Sequence, residues 1–276
     1  MTASVKAPTR PPAERPKKPG PTLFAILGAL FAVGLTLATG LDWEYGIGFS
    51  VGDVLSNLTR RNLVFVGLLN TDLSILLSAN TLAAFLETVQ MAVIASIAGA
   101  LVGLPLALLN SPIGSPNRAT YQVVKGFNNV VRSVPDLLYA LVFVAAVGGG
   151  TLPGMMALFL FSIAVVAKLT SDIVDGIDMG PVESAMASGA GHFQMVRTAI
   201  LPQILPGYTS FSLYTFELNL RASAVLGFVG AGGVGRLLDA FRGRAWYDRV
   251  WGIVFGFFIV VFVIERISMA LRRRLV

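Results

Sequence analysis

Six long apolar runs, separated by polar or glycine- and proline-rich breaks of very different lengths, set the pattern of this chain. They lie at Pro21 to about Gly40, Thr81 to Leu109, about 134–148, Gly154 to Lys168 and beyond, Gln203 to about Val229, and Tyr247 to about Ile267. A helix of about 20 apolar residues crosses the hydrocarbon core of a bilayer, so the pattern predicts an all-α integral membrane bundle of six spans. Basic residues crowd both ends of the chain, and an even number of spans places both ends on the cytosolic side.

The breaks carry their own expectations. Residues 1–20, rich in Pro, Lys and Arg, read as a disordered cytosolic tail. The first run reads as an uncleaved anchor opening a permease-sized domain over 21–276. Lys17, Lys18 and the triplet Thr36-Leu37-Ala38 also fit a cleaved leader, and the sequence leaves both readings open. Residues 41–78 form an external segment with an interfacial stretch from Val51 to Leu69. Arg118 to Asp136 predicts an interfacial cytosolic helix feeding the third span, and 148–153 predicts a tight external turn. Gly99 and Gly103 are spaced for close approach of a neighbouring helix. Lys168 and Asp172 are spaced to pair at i,i+4.

Composition agrees with this class. Hydrophobic residues make up 55% of the chain, charged residues 13%, and mean hydropathy is +0.74. The absence of cysteine removes disulfides, thiolate metal sites and cysteine nucleophiles. A single His192 argues against histidine-based metal or triad chemistry, so no metal site is expected. The formal charge of +6 follows the positive-inside bias in so apolar a chain, and nucleic acid is not an expected partner. The loop from Val229 to Asp248 breaks that bias: it is expected outside yet holds Arg236, Arg242, Arg244 and Arg249. Two readings stand, a docking or anion-attracting face and a surface loop without a role.

One hydrophilic stretch, 175–202, is too long for a plain connector between spans. Glu183-Ser184-Ala185-Met186-Ala187-Ser188-Gly189 favours helix up to Gly189, and Pro202, after Leu201, suits the first turn of a restarted helix. This spacing resembles the EAA loop of binding-protein-dependent ABC importers: E-A-A, three residues, G, nine residues, I-x-L-P. Glu183, Ala185, Gly189, Leu201 and Pro202 match; Ser184 and Ala199 depart from it with small side chains. The resemblance implies a type I importer permease in the bacterial inner membrane, acting as a homodimer with an ABC ATPase dimer and an external solute-binding protein. It implies that Glu183, Ser184, Ala185, Gly189, Leu201 and Pro202 couple to the ATPase. The chain has no G-x-x-x-x-G-K-[ST], so it is expected to bind no cofactor and to leave ATP to its partner.

The fifth run carries a polar stripe. Ser210, Tyr214, Glu217 and Arg221 are separated by four, three and four residues and share one helical face. Charges in a span pair or face a watery cavity, so Glu217 and Arg221 either pair with each other at i,i+4 or line a translocation path where Arg221 meets oxyanions. Asn219 points away from the stripe, toward another span, and Glu87 and Gln90 are further polar candidates. Gly230, Gly232, Gly233 and Gly235 fit the dinucleotide pattern G-x-G-x-x-G, but a membrane helix precedes them rather than a strand. They read instead as a helix break, gate or packed re-entrant turn. The run from Tyr214 to Gly235 resembles phosphonate ABC permeases, which read E-x-N-x-R and then V-L-G-x-V-G-A-G-G-I-G. Methionine-type permeases share much of it. The resemblance implies import of a phosphonate or related phosphorus oxyanion. Two other classes remain: an enzyme on lipid phosphate using Asp172, Asp175 and Asp178, and a passive channel, which has no use for a docking loop.

Overall fold

The computed structural model describes residues 23–40, 52, 55–56 and 62–274; the expected tail and most of 41–61 lie outside them. The chain divides into two units, Met1–Asn62 and Leu63–Val276. In the first, α1 (Leu23–Gly40) is apolar on every side.

Among its described residues the second unit is built of helices joined by turns, with no strand. It holds α2 (Leu63–Leu69), a 3-10 turn (Leu73–Leu77), α3 (Ala79–Leu109), α4 (Arg118–Ser133), α5 (Asp136–Val147) and α6 (Thr151–Val174). After these come α7 (Met179–Ala187), α8 (His192–Met195), a π turn (Val196–Ile200), α9 (Leu201–Leu226), a 3-10 turn (Gly227–Val229), α10 (Gly233–Gly243) and α11 (Tyr247–Arg272). Among the described residues, α3, α6 and α11 are each long and apolar enough to cross a membrane. Counting α4–α5 and α8–α10 as bent crossings raises the number to five, and the apolar stretch of α1 is shorter.

Small side chains draw α3 and α6 together. A Cβ on Gly99 would stand 2.2 Å from the Ser162 Cβ, and one on Gly103 would stand 2.9 Å from Val166 Cγ1. The Gly99–Gly103 spacing therefore marks a real helix crossing, where backbones meet too closely for any larger residue. Ala92, Ala95, Ala157, Ala164 and Ala167 are buried around it.

Two expected elements take a more definite shape. The third apolar run forms α5 alone and the helix expected to feed it is α4; the two meet at 84°, because Pro135 holds Val134 in an extended conformation. With 12 residues, α5 reaches about 18 Å at 1.5 Å per residue, short of a bilayer core. The external turn is also shorter than expected. Thr151-Leu152-Pro153 already belongs to α6, where a first-turn proline sacrifices no helical hydrogen bond. The turn itself is Gly148-Gly149-Gly150, whose Gly150 N–H donates to Gly230 O at 2.9 Å.

Candidate functional site

The hydrophilic stretch folds as two helices around a glycine at the end of the bundle where α3 and α6 terminate and α9 begins. Asp178 caps α7, accepting from Gly180 N at 2.9 Å. Gln203 clasps the same residue from α9, donating to Asp178 O at 3.2 Å and accepting from Asp178 N at 3.1 Å. Val182 buries its side chain among Val174, Met195, Ile200 and Ile204, with Leu104 and Leu108 of α3 packed behind. Anchored by Val182, with Ala185 packed against the same cluster, α7 leaves Glu183, Ser184, Met186, Ala187 and Ser188 exposed.

Gly189 ends α7 with a left-handed turn, φ +79°. Its N–H donates to Met186 O at 3.0 Å and the Ala190 N–H to Ala185 O at 3.0 Å, the double closure that satisfies the last helical carbonyls. The following helix does not wait for Pro202. It starts at His192, whose Nε2 lies 2.9 Å from Gly114 O in the loop after α3. It runs into α9 through the π turn, where Leu201 N–H reaches back to Val196 O. Widening the ladder just before Pro202 accommodates a residue with no N–H to give.

The polar stripe on α9 is paired, but not within itself. Glu217 forms an ion pair with Arg272 of α11, and Arg221 Nη2 reaches Glu265 Oε2 of α11 at 3.2 Å. The i,i+4 pair of Glu217 with Arg221 is therefore replaced by two cross-helix pairs, because α11 packs antiparallel along this face and offers an oppositely charged partner to each. Glu217 is buried, with its side chain 7% exposed and that of Arg272 25%; Arg221 and Glu265 stand at 49% and 41%. Tyr214 on the same face is exposed and Ser210 partly so. On the opposite face Asn219 donates to Ser96 Oγ of α3 at 2.7 Å and to Ser162 Oγ of α6 at 2.6 Å, joining three helices as its position predicted. A groove of about 380 Å³ between α3 and α9 is lined by Ser96, Ala100, Tyr208, Ser212 and Phe216. It lies off the charged stripe.

The glycine run bends the chain by 43° between α9 and α10. Gly230, Gly232 and Gly233 all have positive φ, and a Cβ on Gly235 would stand 2.0 Å from Ala224 O. Val234 N–H is satisfied by Thr88 Oγ1 at 2.8 Å, so the irregular backbone is buried against α3 with this polar group paired. The neighbouring arginines are largely compensated. Arg236 lies 3.7 Å from Glu87, Arg242 2.8 Å from Asp239 and Arg249 4.0 Å from Asp72, while Arg244 stacks over Trp246. The Ser74 hydroxyl, 2.5 Å from Asp72 Oδ1, holds that carboxyl below the usual range, with Arg249 adding to the effect.

Residues 99–276 match the family of binding-protein-dependent transport system inner membrane components. The chain belongs to this family. It is 39% identical over 188 residues to the phosphate-import permease protein PhnE of Mycolicibacterium smegmatis, covering 68% of this chain and 35% of that one. It is 37% identical over 182 residues to the phosphite transport system permease protein PtxC of Stutzerimonas stutzeri, covering 64% of this chain and 66% of that one. The chain thus spans about a third of the first relative's length and just under two thirds of the second's. Its fold is like that of a chain of the inward-facing MetNI methionine ABC transporter, with a TM-score of 0.61 at 23% identity over 71% of this chain and 96% of that one.

In this inner-membrane component, sequence reasoning missed the two partners supplied by α11. Arg272 belongs to the basic cluster near the end of the chain, and no sequence pattern singled out Glu265. Their separation of seven residues puts both on one face, a signal that a second polar stripe faces the first. Met186 and Phe193 were missed too. They are 60% and 76% exposed on the helical pair around Gly189, apolar knobs on an exposed element.

Proposed function

We propose that the chain is the permease subunit of an importer that moves a phosphonate, phosphite, phosphate or related phosphorus oxyanion inward, driven by a separate ABC ATPase. The observation that carries this is the exposed helix–glycine–helix element. Glu183, Ser184, Ala185 and Gly189 form the outer part and Leu201 and Pro202 the return into α9, with Val182 and the Gln203 clasp fixing the element to the ends of three long helices. Such a handle passes a push from a soluble partner straight to the bundle, and Met186 and Phe193 supply apolar anchors for it. In this reading the element is cytosolic, together with both chain termini, and 41–78 is external. Two copies of the chain pair in the bacterial inner membrane beneath a solute-binding protein. Ser210, Tyr214 and Arg221 line the path, Glu217 stands behind them in its buried pair with Arg272, and the glycines at 230–235 hold the outer bend. The choice of a phosphorus oxyanion over methionine or another small solute is supported by the relatives' names together with the arginine fork on α9.

An enzyme acting on lipid phosphate has less support. Asp172 is bound by Lys168, Asp175 accepts from Ser111 and Asp178 caps α7. The three carboxylates are used separately and do not converge on one centre.

Co-expression of the permease with an ABC ATPase and a binding protein tests the assignment. The expected result is a complex that survives purification, hydrolyses ATP faster with loaded binding protein, and takes up phosphite, phosphonate or phosphate into proteoliposomes. A chain that retains no ATPase, or a complex that moves none of the three anions, would overturn it.

A further inference from the structure

The two ion pairs between α9 and α11 differ in kind. Glu217 and Arg272 are withdrawn from solvent, so parting them strands a charge where little can solvate it. Arg221 and Glu265 are nearly half exposed and meet through one N–H group at 3.2 Å. Water competes for such a pair, which opens and closes at little cost. A guanidinium carries five N–H donors in a planar fork, and among the described residues Glu265 is the one acceptor that Arg221 meets. Most of the fork is unused.

We infer that Glu265 is a resident counter-anion: its carboxylate occupies Arg221 until a phosphorus oxyanion displaces it, and takes Arg221 back when the solute leaves. This rests on the proposed path role of Arg221 and adds to it a named competitor. A carboxylate and a phosphonate or phosphite present the same kind of oxygen pair to a guanidinium. The solute can engage two N–H groups where Glu265 engages one, so exchange favours it when it is present. Because one anion replaces another, Arg221 is never left uncompensated, and the vacated carboxylate, already 41% exposed, turns to water. It remains close by as a like charge to the bound solute, which works against tight retention. Through this exchange the buried Glu217–Arg272 pair stays closed and keeps α9 and α11 in register. Glu265 is thus a positioning residue acting through Arg221.

The test uses the purified permease–ATPase complex in nanodiscs, without binding protein, and equilibrium dialysis against radiolabelled inorganic phosphate and methylphosphonate. Glu265→Gln keeps the size and a hydrogen-bonding group but removes the competing charge. It is expected to bind the anions about fivefold to tenfold more tightly than the parent complex, the scale of one like charge removed at short range in a partly watery site. Arg221→Gln is expected to lose binding while still co-purifying with the ATPase. Equal or weaker binding by Glu265→Gln overturns the inference, and so does failure of both variants to assemble, which makes the pair a structural staple. If Arg221→Gln abolishes binding while Glu265→Gln changes nothing, only the counter-anion role falls. If the complete parent transporter moves no phosphorus oxyanion, the proposed function falls as well.

Discussion

Replacing Arg272 by alanine leaves the Glu217 carboxylate without its partner inside the helix pair. With the Glu217 side chain only 7% exposed, water cannot take over the role, and removing one member of a buried pair costs about 3–5 kcal/mol. The matching change at the neighbouring pair, Arg221→Ala, leaves a Glu265 side chain that is 41% exposed, and a loss of only about 0–1 kcal/mol is expected for so solvated a pair. The contrast, roughly 2–5 kcal/mol between two pairs on the same two helices, is the quantity to measure. Reversible unfolding of the purified permease in mixed micelles, followed by the fluorescence of its three tryptophans, reads both variants against the parent. Glu217→Gln combined with Arg272→Met is expected to regain most of the stability lost in Arg272→Ala, since the stranded charge is gone. Equal losses in the two single variants, or no recovery in the double one, would show that burial does not set the difference and that the argument is wrong.

Two other outcomes are expected. Gly189→Val places a β-branched side chain at φ +79°, costing about 1–2 kcal/mol in backbone strain, although a Cβ there meets nothing within 4 Å. The permease is therefore expected to insert normally but to lose ATPase in a pull-down, and undiminished ATPase retention would count against docking at this turn. Gly99→Leu forces α3 away from Ser162, whose Cβ lies 2.2 Å from the position a Cβ would take. It is expected to abolish the folded permease on size exclusion, whereas a monodisperse, thermally normal protein would contradict the crossing.

How much of this could be read beforehand depended on the range over which each feature is decided. The stop at Gly189 is local, set by residues within one turn, and follows from the sequence; the Asp178 cap of α7 is equally local but was not read. Asn219 reaching across to α3 and α6 was legible because a helical face is fixed by 3.6-residue periodicity. The partner of Glu217 was not, because periodicity names a face and leaves open which neighbour packs on it; Arg272, 55 residues on, is brought there by the fold. The bend at Pro135 fell between the two. A helix over Arg118 to Asp136 separate from the third span was legible, but hydropathy alone does not give the 84° at which the two meet. The start of α8 at His192 depended on a π turn, a device with no compositional mark.

The unbroken course from His192 through the π turn to Leu226 makes one rod of about 50 Å at 1.5 Å per residue. A tilt of about 5° imposed at its His192 tip would swing the Leu226 tip by about 4 Å, comparable to the width of a small solute. Because the glycine bend begins at that far tip, under the proposed function a stroke delivered on one side of the bilayer would arrive on the other as a change of aperture, with no separate relay in between.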